Sequence, residues 1–353
     1  MSLSTFNFGK TRFPTKLVGS PFQGGTKFAG GCLAPNGNLY FAPYLSSRIL
    51  EFNPESYETK YVGSIHNVVE GWLGGVLAPN GKIYYAPLHG PQVIEFDPVT
   101  KNSQLIGTVF EGSYKWFGGV LAPNGKIYYA PYNAGKILEI DPVKGTTFLI
   151  NANITAYEDY SGCVLAKNNN IYMIPAKASR ILEFNPVTKI SNFVGETLPS
   201  TSFKYNGGTL ALNDKIYFSP RRQSRILEFD PATGITTHVG ENLNQSNLNK
   251  FSSPTLAPNG LIYFPYCDNN KILRLNPSTG TTNFIGISAK ENDKYVSSKL
   301  APNGNIYFVM ASANKVLELS HVIGSDLLGN DRFIPTDLSL LATSNYNKYY
   351  NKH

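Results

Sequence analysis

The stretch Trp116-Phe-Gly-Gly-Val-Leu-Ala-Pro-Asn-Gly-Lys-Ile-Tyr-Tyr-Ala-Pro131, followed by Lys136-Ile-Leu-Glu-Ile-Asp-Pro142, recurs with small changes along the chain. Two apolar segments flank Pro123-Asn124-Gly125. Proline presets φ, Asn tolerates the next position and Gly accepts a left-handed backbone, so the triplet reads as a tight turn between strands. Lys136 to Ile140 reads as a third strand, Asp141-Pro142-x-x-Gly145 as the next turn, and the segment ending in Leu149-Ile150 as a fourth strand. Working outward, the repeat leucines fall at Leu33, Leu77, Leu121, Leu165, Leu210, Leu256 and Leu300, at spacings of 44, 44, 44, 45, 46 and 44 residues. A period of that size suits a four-stranded propeller blade. The predicted fold is all-β: a seven-bladed β-propeller of four-stranded antiparallel blades, starting near residues 28, 72, 116, 160, 205, 251 and 295.

The variants of the phrase obey the same physics. Where the turn glycine is missing, Asn169 and Asp214 replace it, and these residue types tolerate positive φ best. An Asx side chain closing on its own turn accounts for Asn at the middle position of every repeat, from Asn36 to Asn303. The seventh repeat stops near Leu319, short of a fourth strand. Its missing phrase stands at the other end, where Thr15-Lys16-Leu17-Val18-Gly19 resembles Thr237-His238-Val239-Gly240. A strand over residues 13–19 is therefore expected to complete the last blade and close the ring, giving one domain over 1–343. Residues 344–353, rich in Asn, Lys and Tyr, read as a disordered tail.

Composition supports this picture and narrows function only coarsely. Of 353 residues, 42% are hydrophobic and 16% charged, and Tyr and Phe number 22 and 21, enough to cover both faces of every sheet. No apolar run reaches the ~20 residues of a membrane span, and the first ten residues carry no secretory signature, so a cytoplasmic, monomeric chain without a membrane partner is expected. Cys32, Cys163 and Cys267 read as free thiols. The sequons at Asn153 and Asn244 read as chance matches. The net charge of +7 leans towards anionic partners, but no block of like charges marks a sequence-specific nucleic-acid arm.

The phrase resembles the repeats of NHL-type and streptogramin-lyase-like (gluconolactonase-type) propellers. Gly37-Asn38-Leu39-Tyr40, Arg48-Ile49-Leu50-Glu51-Phe52-Asn53-Pro54 and Gly81-Lys82-Ile83-Tyr84 carry the likeness. The resemblance implies the propeller fold, and lyase or lactonase chemistry as one of the activities such propellers host. Proline (Pro43, Pro87, Pro131, Pro175, Pro220) stands where those repeats usually carry an aspartate after the second strand.

Binding sites on propellers sit where the d-to-a and b-to-c loops converge on one face. Three constellations map there. An aromatic residue stands five positions before each repeat leucine: Phe28, Trp72, Trp116, Tyr160, Tyr205, Phe251 and Tyr295. Lysine precedes it at Lys27, Lys115, Lys204, Lys250 and Lys294. Such a ring either stacks sugars or bases beside cations or wedges between blades. A second ring, Arg48, Lys136, Arg180, Arg225, Lys271 and Lys315 with Gln92 the exception, is followed three residues on by glutamate in all but one repeat. Charge pairs between adjacent blades are expected of it. The third set breaks the symmetry: His89 with His66, Arg221 and Arg222 with Lys177, and Tyr266-Cys267-Asp268. A histidine beside Tyr and Arg could abstract a proton next to a carboxylate, which makes His89 the catalytic candidate of an enzyme.

No metal motif is present and no cofactor is expected. The acidic loop residues Glu70, Glu111, Glu158, Asp159, Glu241, Glu291 and Asp293 are the one place where Ca²⁺ could gather. The expected function is a non-enzymatic module that binds a small-molecule, carbohydrate or protein ligand at the loop face and tunnel mouth, with a tilt towards anions. Its ligand-binding candidates are Phe28, Trp72, Lys115, Trp116, Tyr160, Lys204, Tyr205, Arg221, Arg222, Phe251 and Tyr295. The alternatives are a lyase- or lactonase-type enzyme with one site on the same face, and a multivalent lectin with a site in each blade.

Overall fold

A computed structural model describes residues 15–21, 27–152, 154, 159–201, 203–243, 251–265, 271–286, 295–310 and 315–320. The sequons, Tyr266-Cys267-Asp268, Lys250, Lys294, Glu158, Glu291, Asp293, the first two residues of the 13–19 segment and the 344–353 tail lie outside the described residues. Within them the chain forms seven four-stranded antiparallel sheets, six built from consecutive strands. The third blade runs Trp116–Leu121, Ile127–Pro131, Lys136–Asp141 and Thr146–Asn151, strands a to d from the tunnel outward. In the seventh, Thr15–Val18 pairs antiparallel with Val316–Leu319, so the N-terminal segment supplies the outer strand and closes the ring. Asn169 and Asp214 adopt φ of 65° and 66°, as their turns require. Among the described residues no helix is long and apolar enough to cross a membrane.

Blades bury their faces against each other. Seven apolar clusters each span two neighbouring blades: Tyr40, Ile49 and Val62 of the first pack on Trp72, Ile83 and Phe96 of the second, and so on round to Val316 and Tyr307 of the last against Phe28 and Phe41. Towards the axis the blades converge, and the glycine pair of strand a makes this approach feasible. Gly30 sits at φ +75° in a register shift of the ladder, and a Cβ there would stand 2.6 Å from the backbone of Gly74. The second glycine of each pair leaves room for an aromatic ring of strand b, since a Cβ on Gly119 would lie 2.5 Å from the ring of Tyr129.

Towards the opposite end of each blade a buried tyrosine organises the turns. The side-chain oxygen of the Asn in each a–b turn accepts from its own turn backbone, Lys82 N–H donating to Asn80 Oδ1 at 3.1 Å, and its amide donates to the tyrosine hydroxyl at 2.8–2.9 Å in all seven blades. In five blades that hydroxyl donates to the strand-c glutamate at 2.7–2.9 Å. The same Asn amide reaches into the next blade, where Pro142, Pro186, Pro277 and, across the closure, Pro54 accept through their carbonyls. In four blades the tyrosine ring leans on the strand-c phenylalanine of that next blade, as Tyr128 does on Phe184 with centroids 5.3 Å apart.

The second ring corrects the expected pairing. Arg48, Arg180 and Gln92 donate to the carbonyls of Gly63, Gly195 and Gly107 at the end of strand d, and the glutamine serves because only one donor is needed. The glutamates instead meet other lysines. Lys82, Lys126 and Lys215 reach Glu95, Glu139 and Glu228 within a blade, while Lys101 reaches Glu51, and Lys189 reaches Glu139, from the blade beyond. Burial pushes the Glu51, Glu95 and Glu318 carboxyls up, but hydrogen bonds from Lys, Tyr and their other neighbours outweigh it and hold all three below their ordinary value.

Two measurements test this account. Gly30→Ala should lower unfolding free energy by about 3 kcal/mol or more, from left-handed strain plus a backbone collision, against about 1 kcal/mol for Gly125→Ala, which meets open space. Equal losses in urea titrations would remove the close-approach argument. The depressed glutamates contribute stability above their ordinary value of 4.5 and lose it as pH falls through their lower folded values. The thermal midpoint should therefore drop along an acid limb below about pH 4.5, and Glu95→Gln should flatten that limb.

Candidate functional site

The d-to-a and b-to-c loops share one face because backbone bonds clamp them together. The N–H of the first residue after strand b donates to the carbonyl just before the inner aromatic: Tyr44 to Lys27, Leu88 to Gly71, Tyr132 to Lys115, Ala176 to Asp159 and Arg221 to Lys204, at 2.9 Å in each case. Alternation then sends the aromatic of strand a away from the axis and its successor towards it. Ala29, Leu73, Phe117, Ser161, Asn206, Ser252 and Val296 are those successors, and all line the central cavity.

The aromatic ring itself is internal. Phe28, Trp72, Trp116, Tyr160, Tyr205, Phe251 and Tyr295 are each at most 2% exposed. Trp72 and Trp116 donate their indole N–H at 2.8 Å to the carbonyls of Gln92 and Lys136, capping the start of strand c. Seven repeated sugar-stacking platforms would need open ring faces, and these rings are packed between blades. Lys115 and Lys204 are buried beside them, donating to Gly112 O and to Lys177 O at 2.8 Å. Burial holds both amines below the ordinary lysine range. Of the ligand-binding candidates, only Arg221 lines the cavity.

That cavity, of about 610 Å³, divides by blade. On one side Val296, Ala29, Leu73, Leu88 and Phe117 form an apolar wall, with Tyr44 packed against it and Tyr132 in contact with Phe117. On the other, Ser161, Asn206, Ser252, Lys177 and Arg221 form a polar and cationic wall. Ser161 and Ser252 spend their hydroxyl protons on the carbonyls of Tyr205 and Val296, and Asn206 Nδ2 donates to Ser252 Oγ. Asn206 Oδ1 is buried and receives no hydrogen bond among the described residues. Arg221 and Arg222 both lie over the ring of Phe203, at 4.4 and 4.8 Å from its centroid. Arg221 also bonds the Tyr132 hydroxyl, opposing the upward push of burial on that phenol. Lys177 pairs with the buried Asp159 at 2.6 Å.

Tyr114 and Phe203, which sequence reasoning passed over, complete the mouth with Glu70, expected only as one of the acidic loop residues where Ca²⁺ could gather. Glu70, Tyr114 and Phe203 stand two residues before the inner aromatic of blades 2, 3 and 5, with φ of 52°, 54° and 58°. Left-handed backbone at such residues is strained, and strain of this kind gathers at functional loops. Tyr44 donates to Glu70 Oε1 at 2.6 Å, Tyr114 hydrogen-bonds the same carboxylate, and His89 Nε2 lies 3.6 Å from its other oxygen. His89 also meets the Tyr114 ring edge-on at 4.4 Å. It stands one layer behind the cavity wall, which Tyr44 and Tyr114 provide. His66 instead packs on Trp72. Blades 6 and 7 replace the inner glycine pair with Ser253-Pro254 and Ser297-Ser298, and Lys299 follows the second, so the cavity lining carries hydroxyls and one amine there. Cys32 and Cys163 are free thiols pushed by burial up to about 11 and about 12, too high to be reactive. Among the described residues no cluster of His, Cys, Asp and Glu could hold a metal ion.

No protein-family model matches the chain, and no curated protein matches it. Solved structures do. A streptogramin B lyase superposes with a TM-score of 0.73 at 14% identity, covering 86% of this chain and 96% of its own. A catalytically inactive virginiamycin B lyase from Staphylococcus aureus, with quinupristin, gives 0.72 at 15% identity over 86% of this chain and 98% of its own. Hydrazine synthase of Kuenenia stuttgartiensis gives 0.66 at 11% identity over 89% and 98%. At such identities the likeness is one of fold: the chain is a propeller resembling the streptogramin-lyase-like propellers.

The buried ring makes its own prediction. Trp116→Ala should cost about 3–5 kcal/mol in chemical denaturation, the range for emptying a large core site. A loss under about 1 kcal/mol would mean the indole is not a wedge between blades.

Proposed function

We propose that the protein is a binding propeller whose site is the tunnel mouth, and that its ligand is a small amphipathic molecule with an apolar, aromatic-sized body and an anionic end. The observation that carries this is the division of the cavity wall, with Leu73, Leu88, Phe117 and Tyr132 facing Arg221, Lys177 and Asn206. An apolar body set against the first group would direct a carboxylate or phosphate towards the second. A planar guanidinium stacked on Phe203 is preorganised to receive such a group. The single wall break argues for one ligand per chain, in keeping with a net charge of +7 that favours anions.

A thermal-shift and calorimetric comparison of aryl carboxylates with their neutral amides tests the reading. The acids should raise the midpoint, with about 2.7 kcal/mol of stabilisation at a hundredfold excess over Kd. Phe117→Ala and Arg221→Ala should each weaken binding without loss of folding. Equal binding of acid and amide, or an Arg221→Ala variant that binds as tightly as the parent, would overturn it.

A second reading, a lyase-type enzyme at the same mouth, draws on the Glu70–His89–Tyr114 cluster, where a carboxylate fixed by two phenols lies 3.6 Å from an imidazole nitrogen. Here His89→Ala should abolish turnover of a bound ester or lactone and leave its binding intact.

A further inference from the structure

Strand a of the last blade departs from its six counterparts at Lys299. Cys32, Val76, Val120, Val164, Thr209 and Thr255 fill the same register, each opposite the strand-b tyrosine of its blade, as Lys299 stands opposite Tyr307. The fold asks only for a small, uncharged side chain at that place, so packing gives no reason for a lysine. Lys299 lines the central cavity where the last blade meets the first, beside Cys32. Lys177 at the mouth is paired with Asp159, whereas among the described residues no carboxylate faces Lys299. Ser298, one residue earlier, points to the other side of the strand, where it and Thr255 share a hydrogen bond of 2.7 Å across the seam between blades 6 and 7.

An amine so placed either holds an anion or acts as a free base. Burial disfavours its charged form and lowers its pKa from the usual lysine range, so at neutral pH more of it is unprotonated than at an exposed lysine.

We propose that Lys299 is a nucleophilic amine that condenses with the carbonyl group of a small aldehyde or 2-oxo acid entering the tunnel. The nitrogen lone pair adds to the carbonyl carbon, and the carbonyl oxygen takes up a proton to give a carbinolamine. That hydroxyl then leaves as water with the remaining amine proton, and the carbon–nitrogen double bond forms. The balance is one amine and one carbonyl in, one imine and one water out, with no oxidant or reductant. The protons come from and return to solvent in the tunnel. This step does not depend on the ligand proposed for the mouth.

The test is reductive trapping of the full chain with glyoxylate and cyanoborohydride at neutral pH, read by intact mass and peptide mapping over time. Lys299 should be modified several-fold faster than the exposed Lys60 and Lys167, and Lys299→Met should lose the fast phase while still binding an aryl carboxylate at the mouth. Mapping on the unaltered chain decides the matter even if the variant folds poorly. Modification of Lys299 no faster than Lys167, or a fast phase that survives in Lys299→Met, would overturn the proposal.

Discussion

A tyrosine hydroxyl buried between blades has to be satisfied, and most of the ring's order follows from how that is done. An unpaired phenol in such a place costs on the order of 1–3 kcal/mol. The chain meets the need with an Asn from the preceding turn and, in most blades, a glutamate from the following strand. Because the Asn has two amide protons, one serves the tyrosine and the other crosses to the proline carbonyl of the next blade. A local requirement thereby becomes a bond between neighbours. Its recurrence across the closure, from Asn303 to Pro54, ties the last blade to the first with the chemistry used elsewhere.

The latch occupies the end of each blade where strands a and b, and c and d, are joined. That end is nearly sevenfold symmetric. The other end is free to vary, since its loops are held by backbone bonds that any side chain permits. Lys177, Arg221, Glu70, Tyr114 and Phe203 all lie there, none of them part of the repeated phrase. Symmetry at one end and diversity at the other is how a repeated framework carries a single polarised site.

Much of the architecture was legible because its determinants are local. Turn triplets, the period of the leucines, and the match of Thr15-Lys16-Leu17-Val18-Gly19 to a fourth strand sufficed for blade count and closure. The site was less legible, and the reason lies in the glycine pair. A register shift such as that between Phe117 and Gly119 breaks the period of two, so spacing from the repeat leucine does not reveal which side chain faces the axis. The aromatic five positions before the leucine was the more conspicuous candidate, yet Phe117, one residue later, lines the cavity and Trp116 lies behind it. The left-handed backbone of Glu70, Tyr114 and Phe203 carries no sequence mark, since residues of their kind are rarely found in that conformation. Lys299 was hidden inside an inner strand, where departures drew less notice than in the loops. His89 was singled out by being unlike its counterparts, and its partner Glu70 emerges only when the two loops are brought together.

The pairing of Thr15–Val18 with Val316–Leu319 has a bearing on how the protein is made. A chain synthesised from its N-terminus carries this first strand with no partner until residue 319 has emerged, some three hundred residues later. Blades can assemble in sequence meanwhile, but the ring stays a crescent with two apolar edges: Phe28, Leu39 and Phe41 at one, and whichever blade is newest at the other. Contacts of such long range are slow to form and leave surface open to association with other chains. The pairing of these two strands is thus also the step that removes the ring's two open edges, and a product truncated before Val316 would retain them permanently.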